Sequence, residues 1–164
     1  MTVADDVRRQ LDALGIPYEL IDCDPALADT AAFCAAYGVP LEDSANTIVV
    51  AGRSDPPRYA ACVVLATTRL DVNRVVKQRL GVRKASFAAP EETRELTGME
   101  LGGVTVFGLP AGLPLWVDRR VMHRQRIVLG GGDRTCKVAA APAILLALPN
   151  VEVIDDLALE PSLR

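Results

Sequence analysis

Residues 96–109 read LTGMELGGVTVFGL, a segment that is rich in glycine and carries a single charged side chain. Glycine permits positive φ and has no Cβ, so the adjacent Gly102 and Gly103 can turn two successive N–H groups toward one point. Two converging main-chain donors are what an oxyanion hole requires, which makes the segment a candidate site for polarising a reacting carbonyl. The alternative is a tight turn that joins a helix to a strand.

The length and composition around this segment favour one domain, which we expect to span residues 1–164. Half of the residues are hydrophobic but only 4% are aromatic, so the core is predicted to consist mainly of Val, Leu, Ile and Ala. No apolar run approaches the roughly 18 residues needed to cross a bilayer, and residues 1–6 are acidic where a signal peptide would be basic. We therefore expect a cytoplasmic protein with no membrane partner.

The order of hydrophobic patterns predicts an α+β fold. Val3, Val7 and Leu11 recur at helical spacing, and two β-rich segments, Thr47–Ala51 and Tyr59–Ala66, are expected to pair across a turn-forming stretch. Further helices are predicted near residues 30–38, 72–80, 90–98 and 142–148, and further strands near residues 82–87, 113–117, 127–129, 135–139 and 151–154. This mixture favours a single-domain mixed, mainly antiparallel sheet flanked by helices over a doubly wound parallel sheet.

Common catalytic and metal-binding patterns are absent from the sequence. The four cysteines have no C-x-x-C spacing and the chain has one histidine, so we expect neither a metal site nor a cofactor. There is no phosphate-binding Walker loop and no G-x-S-x-G motif. Gly130–Gly132 can form an anion-binding nest or, alternatively, a hairpin turn.

The charges are unevenly distributed although the net charge is only −3. Basic residues concentrate in two segments, 69–84 and 119–126, which could meet phosphates of a nucleic acid. The alternative is a solvated helix face together with an exposed turn.

Several short motifs along the chain carry a family resemblance. They are the segment 30–39, which begins with TAA and ends with GV, followed by RLD at 69–71, APEE at 89–92, LTG at 96–98, GGVTVFG at 102–108, VD at 117–118 and the glycine turn after Leu129. In this order and spacing they resemble the YbaK/EbsC-type aminoacyl-tRNA editing-domain family, which includes free-standing relatives of the prolyl-tRNA synthetase editing insertion. The resemblance covers nearly the whole chain.

The resemblance implies both a fold and a reaction. The fold would be a mixed sheet flanked by helices, and the reaction would be hydrolysis, in trans, of the ester that joins a wrong amino acid to tRNA. The implied partners are the acceptor end of an aminoacyl-tRNA and an aminoacyl-tRNA synthetase. In the family, loop amides grip the carbonyl and the terminal ribose hydroxyl of the substrate helps to orient the water, so few catalytic side chains are needed.

By position, the resemblance assigns catalysis to Gly102, Gly103 and Asn46. The substrate-binding residues that it implies are Thr30, Thr105, Val106, Phe107, Asp118, Gly131 and Cys136. Three positions depart from the family pattern: Asn46 stands where a lysine is usual, Val106 where proline is common, and Cys136 where some members have aspartate. An amide can donate a hydrogen bond, but it supplies no charge.

The departure at Asn46 keeps a second hypothesis open. The chain could be a catalytically weak or inactive module that binds an aminoacyl-adenosine or tRNA end. A third hypothesis is a nucleotide or small-metabolite binder that uses Gly130–Gly132. The oligomeric state and the amino acid that is recognised are not specified by these patterns.

Overall fold

The structure is a computed structural model that describes residues 2–161. Its strands are β1 (Glu19–Asp22), β2 (Ala45–Gly52), β3 (Arg58–Leu65), β4 (Arg69–Leu70), β5 (Ala85–Phe87), β6 (Leu115–Asp118), β7 (Ile127–Gly130), β8 (Cys136–Ala140), β9 (Val151–Ile154) and β10 (Ala158–Leu159). Its α-helices are α1 (Val3–Leu14), α2 (Thr30–Tyr37), α3 (Lys77–Leu80), α4 (Pro90–Thr97) and α5 (Arg119–Met122). Short 3₁₀ turns cover Pro25–Leu27, Leu41–Asp43 and Pro142–Ala147.

The predicted N-terminal helix is confirmed as α1. The Thr2 hydroxyl accepts the Asp5 N–H at 3.1 Å and the Asp5 carboxylate accepts the Thr2 N–H at 3.0 Å, a reciprocal capping box. Val7 and Leu11 are buried, as the helical spacing requires, and Gly15 ends the helix in the left-handed region. Within residues 2–161, no helix combines the length and the apolar character needed to cross a bilayer.

The central sheet has the strand order β5-β2-β3-β6-β9. The β2–β3 and β2–β5 pairs are antiparallel, whereas β3–β6 and β6–β9 are parallel. The hairpin expected from Thr47–Ala51 and Tyr59–Ala66 is therefore confirmed as β2–β3, and the predicted last strand lies at the sheet edge as β9.

A second, three-stranded sheet has the order β1-β8-β7, and both of its pairs are antiparallel. This confirms the antiparallel return that the glycine turn predicted. The small β4–β10 pair is also antiparallel. Together the three sheets and the helices around them confirm the predicted α+β class.

Alternating residues of the central sheet supply two hydrophobic clusters. Val49 and Val117 face the cluster that contains α1 residues and the end of the glycine-rich segment, including Phe107. Val50 and Trp116 belong to the second cluster, which packs against the helical segment that ends with α3. The sheet therefore lies between two layers.

Two predicted helices differ from expectation. The segment 72–80 is helical but begins as a π-helical turn. Asp71 occupies the N-cap position, but its side chain accepts no capping hydrogen bond from the helix backbone. The segment predicted as a last α-helix is 3₁₀ at Pro142–Ala147. It begins at Pro142 and ends before Pro149, which favours the extended conformation observed at Leu148 and so stops the helix after two turns.

Candidate functional site

The candidate site is a cavity of about 200 Å³ that lies where the two larger sheets diverge. A parallel bridge between Ser44 and Val128 joins the start of β2 to β7. Farther along, β5 pairs with β2 only from Val50 to Gly52. The edge of β2 between these two contacts lies against the cavity, which Ala45, Asn46, Thr47 and Ile48 line.

The register of β2 directs main-chain groups of Thr47 to this open edge. The Ser44 carbonyl accepts the Ala66 N–H at 2.8 Å on the β3 side, whereas the Val49 carbonyl accepts the Ala88 N–H at 2.9 Å on the opposite side. Because the direction alternates along a strand, the N–H and C=O of Thr47 point to the same side as those of Val49. The open edge therefore presents a main-chain donor and acceptor beside the cavity.

Thr30 and Asn46, two residues to which the resemblance assigns roles in the site, meet at the cavity wall. Thr30 is the first residue of α2, and its hydroxyl donates to Asn46 Oδ1 at 2.8 Å. Both side chains are half-buried. Because Oδ1 is engaged, the amide nitrogen of Asn46 is the part that can donate to a bound ligand.

The two glycines of the 96–109 segment are placed differently. The Gly103 N–H donates to the Glu100 carbonyl at 2.9 Å, and the Gly103 carbonyl accepts the Gly132 N–H at 2.7 Å, so this residue is engaged in packing between two turns. Gly102 lines the cavity with φ +89°, and its N–H donates to no acceptor within residues 2–161. Only one amide of the expected pair is thus left at the cavity, and its catalytic role stays a prediction.

Sequence reasoning missed Lys137, which enters the cavity from β8. This lysine is only 7% exposed, and its Nζ donates to the carbonyls of Ala28 at 2.7 Å and Gly102 at 2.6 Å. The Nζ atom also lies 5.4 Å from the ring centroid of Phe33. Burial lowers the pKa of the Lys137 ammonium. The available signal is a lone lysine inside an apolar predicted strand, whereas the resemblance points to its neighbour Cys136.

Arg134 forms a second link between the same two loops. Its guanidinium donates to the carbonyls of Pro25 at 3.0 Å and Leu101 at 2.9 Å, and it pairs with the Asp29 carboxylate at 2.9 Å. Arg134 does not line the cavity. Its contacts hold the loop before α2 against the glycine-rich segment.

The other residues implied by the resemblance lie outside the cavity wall. Thr105 is fully buried. Its N–H donates to the Met99 sulfur, and its hydroxyl has no hydrogen-bond partner among the described residues. The remaining ones are buried core residues, turn residues or a helix cap: Val106, Phe107, Asp118, Gly131 and Cys136. The structure thus brings together Thr30, Asn46 and Gly102, and it adds Lys137.

The glycine turn is close-packed with Gly130 at the cavity wall, and the two basic segments differ in how many of their cations are paired. A Cβ on any glycine of Gly130–Gly132 would come within 3 Å of a neighbouring atom, so this turn is tightly packed. The arginines of the segment 119–126 all form ion pairs: Arg119, Arg120, Arg124 and Arg126. In the segment 69–84, Arg69, Arg83 and Lys84 are exposed and form no ion pair within residues 2–161.

One family model and two solved structures match most of this chain. A family model described as an aminoacyl-tRNA editing domain matches residues 24–148. The crystal structure of a hypothetical protein, APE2540, is 27% identical with a TM-score of 0.81, over 92% of this chain and 97% of that one. A structure described as a proposed trans-editing enzyme for prolyl-tRNA synthetase is 25% identical with a TM-score of 0.82, over 98% of this chain and 99% of that one.

Proposed function

The chain belongs to the aminoacyl-tRNA editing domain family, and we propose that it is a deacylase that hydrolyses, in trans, the ester of mischarged aminoacyl-tRNA. Support comes from the family model and from the likeness to a proposed trans-editing enzyme. The acceptor end of an aminoacyl-tRNA is then the substrate, with an aminoacyl-tRNA synthetase as a further partner.

The cavity is the observation that carries this proposal. Its volume of about 200 Å³ is smaller than the roughly 300–1,000 Å³ of sites that enclose a drug-sized ligand. It suits the aminoacyl group alone, with the terminal adenosine lying outside. The wall offers the amide of Asn46, the N–H of Gly102 and the open strand edge at Thr47, which can hold an ester without a protein nucleophile.

The lining residues constrain the mechanism. Within residues 2–161, the cavity is lined by no Asp, Glu, His or Cys side chain. The wall therefore offers no carboxylate, imidazole or thiol as a general base, and its one ionisable side chain, Lys137, has two N–H groups engaged by carbonyls, which agrees with a water molecule oriented by the ribose hydroxyl of the substrate. The protein's contribution is then to bind the aminoacyl group and to polarise its carbonyl.

The balanced reaction is a simple ester hydrolysis. Water adds to the carbonyl carbon, and the π electrons move to the carbonyl oxygen to give an alkoxide. When this intermediate collapses, the bond from carbon to the ribose oxygen breaks, and the ribose oxygen takes one proton of the water. The amino acid leaves as a carboxylate after its acid proton passes to solvent.

The engaged Gly103 N–H also favours a second candidate function, a module that binds the aminoacyl end without cleaving it. Because the Gly103 N–H donates to the Glu100 carbonyl, the loop offers the substrate one N–H donor and not the two that an oxyanion hole built from both glycines would have. A protein that binds a non-hydrolysable 3′-amide analogue of aminoacyl-adenosine, but turns over no mischarged tRNA, would establish this second function.

The deciding experiment is a panel of mischarged tRNAs with release of the free amino acid as the readout. We expect turnover of at least one member by the wild type and a loss of about 100-fold or more in Gly102→Ala, because that change moves the amide at the cavity. Gly112→Ala is the control for backbone strain, since Gly112 has φ +84°; its Cβ position is open, whereas a Cβ on Gly102 would meet the Arg134 guanidinium and displace the loop. Equal activity in the two variants, or no turnover by the wild type, would contradict the proposal.

A further inference from the structure

Lys137 is the one ionisable side chain that lines the cavity within the described residues, and the hydrolysis outlined above leaves it unused. It is buried, and two of its three N–H donors are taken by the carbonyls of Ala28 and Gly102. The third donor is free for a ligand. Lys137 therefore brings both a positive charge and a hydrogen-bond donor to the cavity wall.

Among residues 2–161, no carboxylate forms an ion pair with Lys137. Its two hydrogen-bond acceptors are neutral carbonyls, and the acidic group beside it, Asp29, forms its ion pair with Arg134. A buried ammonium without a counter-charge is costly, so a negative group that arrives at the cavity is stabilised by it. In an aminoacyl ester the group that becomes negative is the carbonyl oxygen, during attack by water.

Lys137 lies where its ammonium could contact that substrate oxygen. Its Nζ lies 2.6 Å from the carbonyl oxygen of Gly102, the residue whose N–H we assign to the substrate carbonyl. Lys137 and Gly102 are thus neighbours on the cavity wall, where the engaged Gly103 N–H leaves room for another donor.

We propose that the Lys137 ammonium, together with the Gly102 N–H, stabilises the negatively charged oxygen that forms on the substrate carbonyl during ester hydrolysis. This proposal rests on the proposed function. It makes Lys137 a catalytic residue and gives β8 a direct part in the reaction. The simpler alternative is that Lys137 only clamps the loop at Ala28 to the loop at Gly102.

The test compares Lys137→Met with Arg134→Met. Arg134 joins the same two loops through carbonyl contacts and its side chain does not line the cavity, so its variant removes a clamp while every lining side chain stays in place. We expect K137M to lower kcat about 100-fold or more on every substrate that the wild type cleaves, with KM little changed. R134M should stay within about threefold of the wild type. Thermal melting confirms that both variants are folded.

A second readout separates charge stabilisation from loop clamping. A tetrahedral, anionic phosphonate analogue of aminoacyl-adenosine mimics the intermediate, whereas the planar 3′-amide analogue mimics the substrate. K137M should bind the phosphonate about 100-fold more weakly and the amide within about threefold, because only the former carries the charge that Lys137 meets. Lys137→Arg keeps the charge and is expected to retain more activity than K137M; it also serves if K137M does not fold.

Each contrary outcome has a distinct meaning. Equal losses in K137M and R134M would reduce Lys137 to a clamp, and a loss confined to substrates with acidic side chains would make it a specificity residue. Unchanged kcat in K137M, or K137R as inactive as K137M, would equally overturn the catalytic role while the proposed function stands. If the wild type cleaves no mischarged tRNA, both proposals fall.

Discussion

The hydrogen bond from Thr30 to Asn46 determines which end of the amide faces the cavity. Thr30→Val keeps the shape of the side chain but removes this bond, so Asn46 can rotate and present its oxygen. We expect kcat/KM on mischarged tRNA to fall about fivefold, since one neutral hydrogen bond contributes about 1 kcal/mol. Thr30→Ser keeps the hydroxyl and should behave like the wild type. Equal losses in the two variants would show that packing, not the hydrogen bond, matters at this position.

Asn46 and Lys137 line the same small cavity, so a lysine at position 46 would bring two cations together. We expect Asn46→Lys to lower the free energy of unfolding by about 1 kcal/mol, which corresponds to about 2–4 °C in Tm for a domain of this size. The double variant N46K/K137M should recover this loss, a coupling that a double-mutant cycle measures by thermal unfolding. Additive effects would mean that the two positions do not interact.

Two neighbouring pairs show how far individual residues could be predicted from sequence. Cys136 and Lys137 both lie in the predicted strand, but a strand sends successive side chains to opposite faces, and the pattern did not show which face meets the cavity. Gly102 and Gly103 were both predicted as donors. Whether a loop N–H is free depends on acceptors that tertiary structure supplies, in this case the carbonyl of Glu100.

The start of α4 joins this helix to the β2–β3 hairpin through one carboxylate. Glu92 accepts the Ala89 N–H at 2.9 Å, pairs with Arg53 at 2.9 Å and accepts the Tyr59 hydroxyl at 3.1 Å. The Arg53 guanidinium and then the Ala89 N–H hold the pKa of Glu92 at about 2. The helix start at Pro90 was predictable from local sequence, whereas the partners from the hairpin were not.

We expect Glu92→Gln to lower the free energy of unfolding at pH 7 by about 1 kcal/mol, because the substitution weakens both the hydrogen bond that caps α4 at Ala89 and the ion pair with Arg53. The folded-state pKa of Glu92 lies below its ordinary value, so its contribution is complete above about pH 5 and is lost as the pH falls toward about 2. Urea unfolding at pH 7 and near pH 3 should show the difference from wild type shrinking. Glu91→Gln, at the exposed neighbouring position, is the control; a deficit that persists unchanged at low pH would contradict the assignment.

The site exists only in the assembled molecule, because its parts come from four distant segments. Thr30 comes from α2, Asn46 from β2, Gly102 from the glycine-rich segment and Lys137 from β8. The cavity forms because β2 and β7 touch at Ser44 and Val128 and then enter different sheets. Local patterns predicted most of these elements, but the divergence of the two sheets is a long-range property that they could not show.

Asp118 connects the end of the central sheet to the last described strand. It is 1% exposed, and its carboxylate accepts the N–H of Arg120 at 2.8 Å and that of Ala158 at 2.6 Å. The Arg120 guanidinium pairs with the same carboxylate at 3.1 Å and donates to the Ala158 carbonyl at 3.0 Å. A residue that the resemblance implied for substrate binding therefore holds β6, α5 and β10 together.

We expect Asp118→Asn to lower the free energy of unfolding by about 2–4 kcal/mol. The amide NH₂ must then face one of the N–H donors that the carboxylate now accepts, and the Arg120 guanidinium loses its negatively charged partner. The kcat of the folded fraction should be unchanged, because Asp118 lies outside the cavity wall. Asp156→Asn is the matched control: Asp156 pairs with the same arginine but is 72% exposed, so its loss should cost less than about 0.5 kcal/mol. Denaturant unfolding measures the first quantity and single-turnover deacylation the second. A D118N protein of wild-type stability with reduced kcat would instead place this carboxylate in the reaction and require a second route from Asp118 to the substrate.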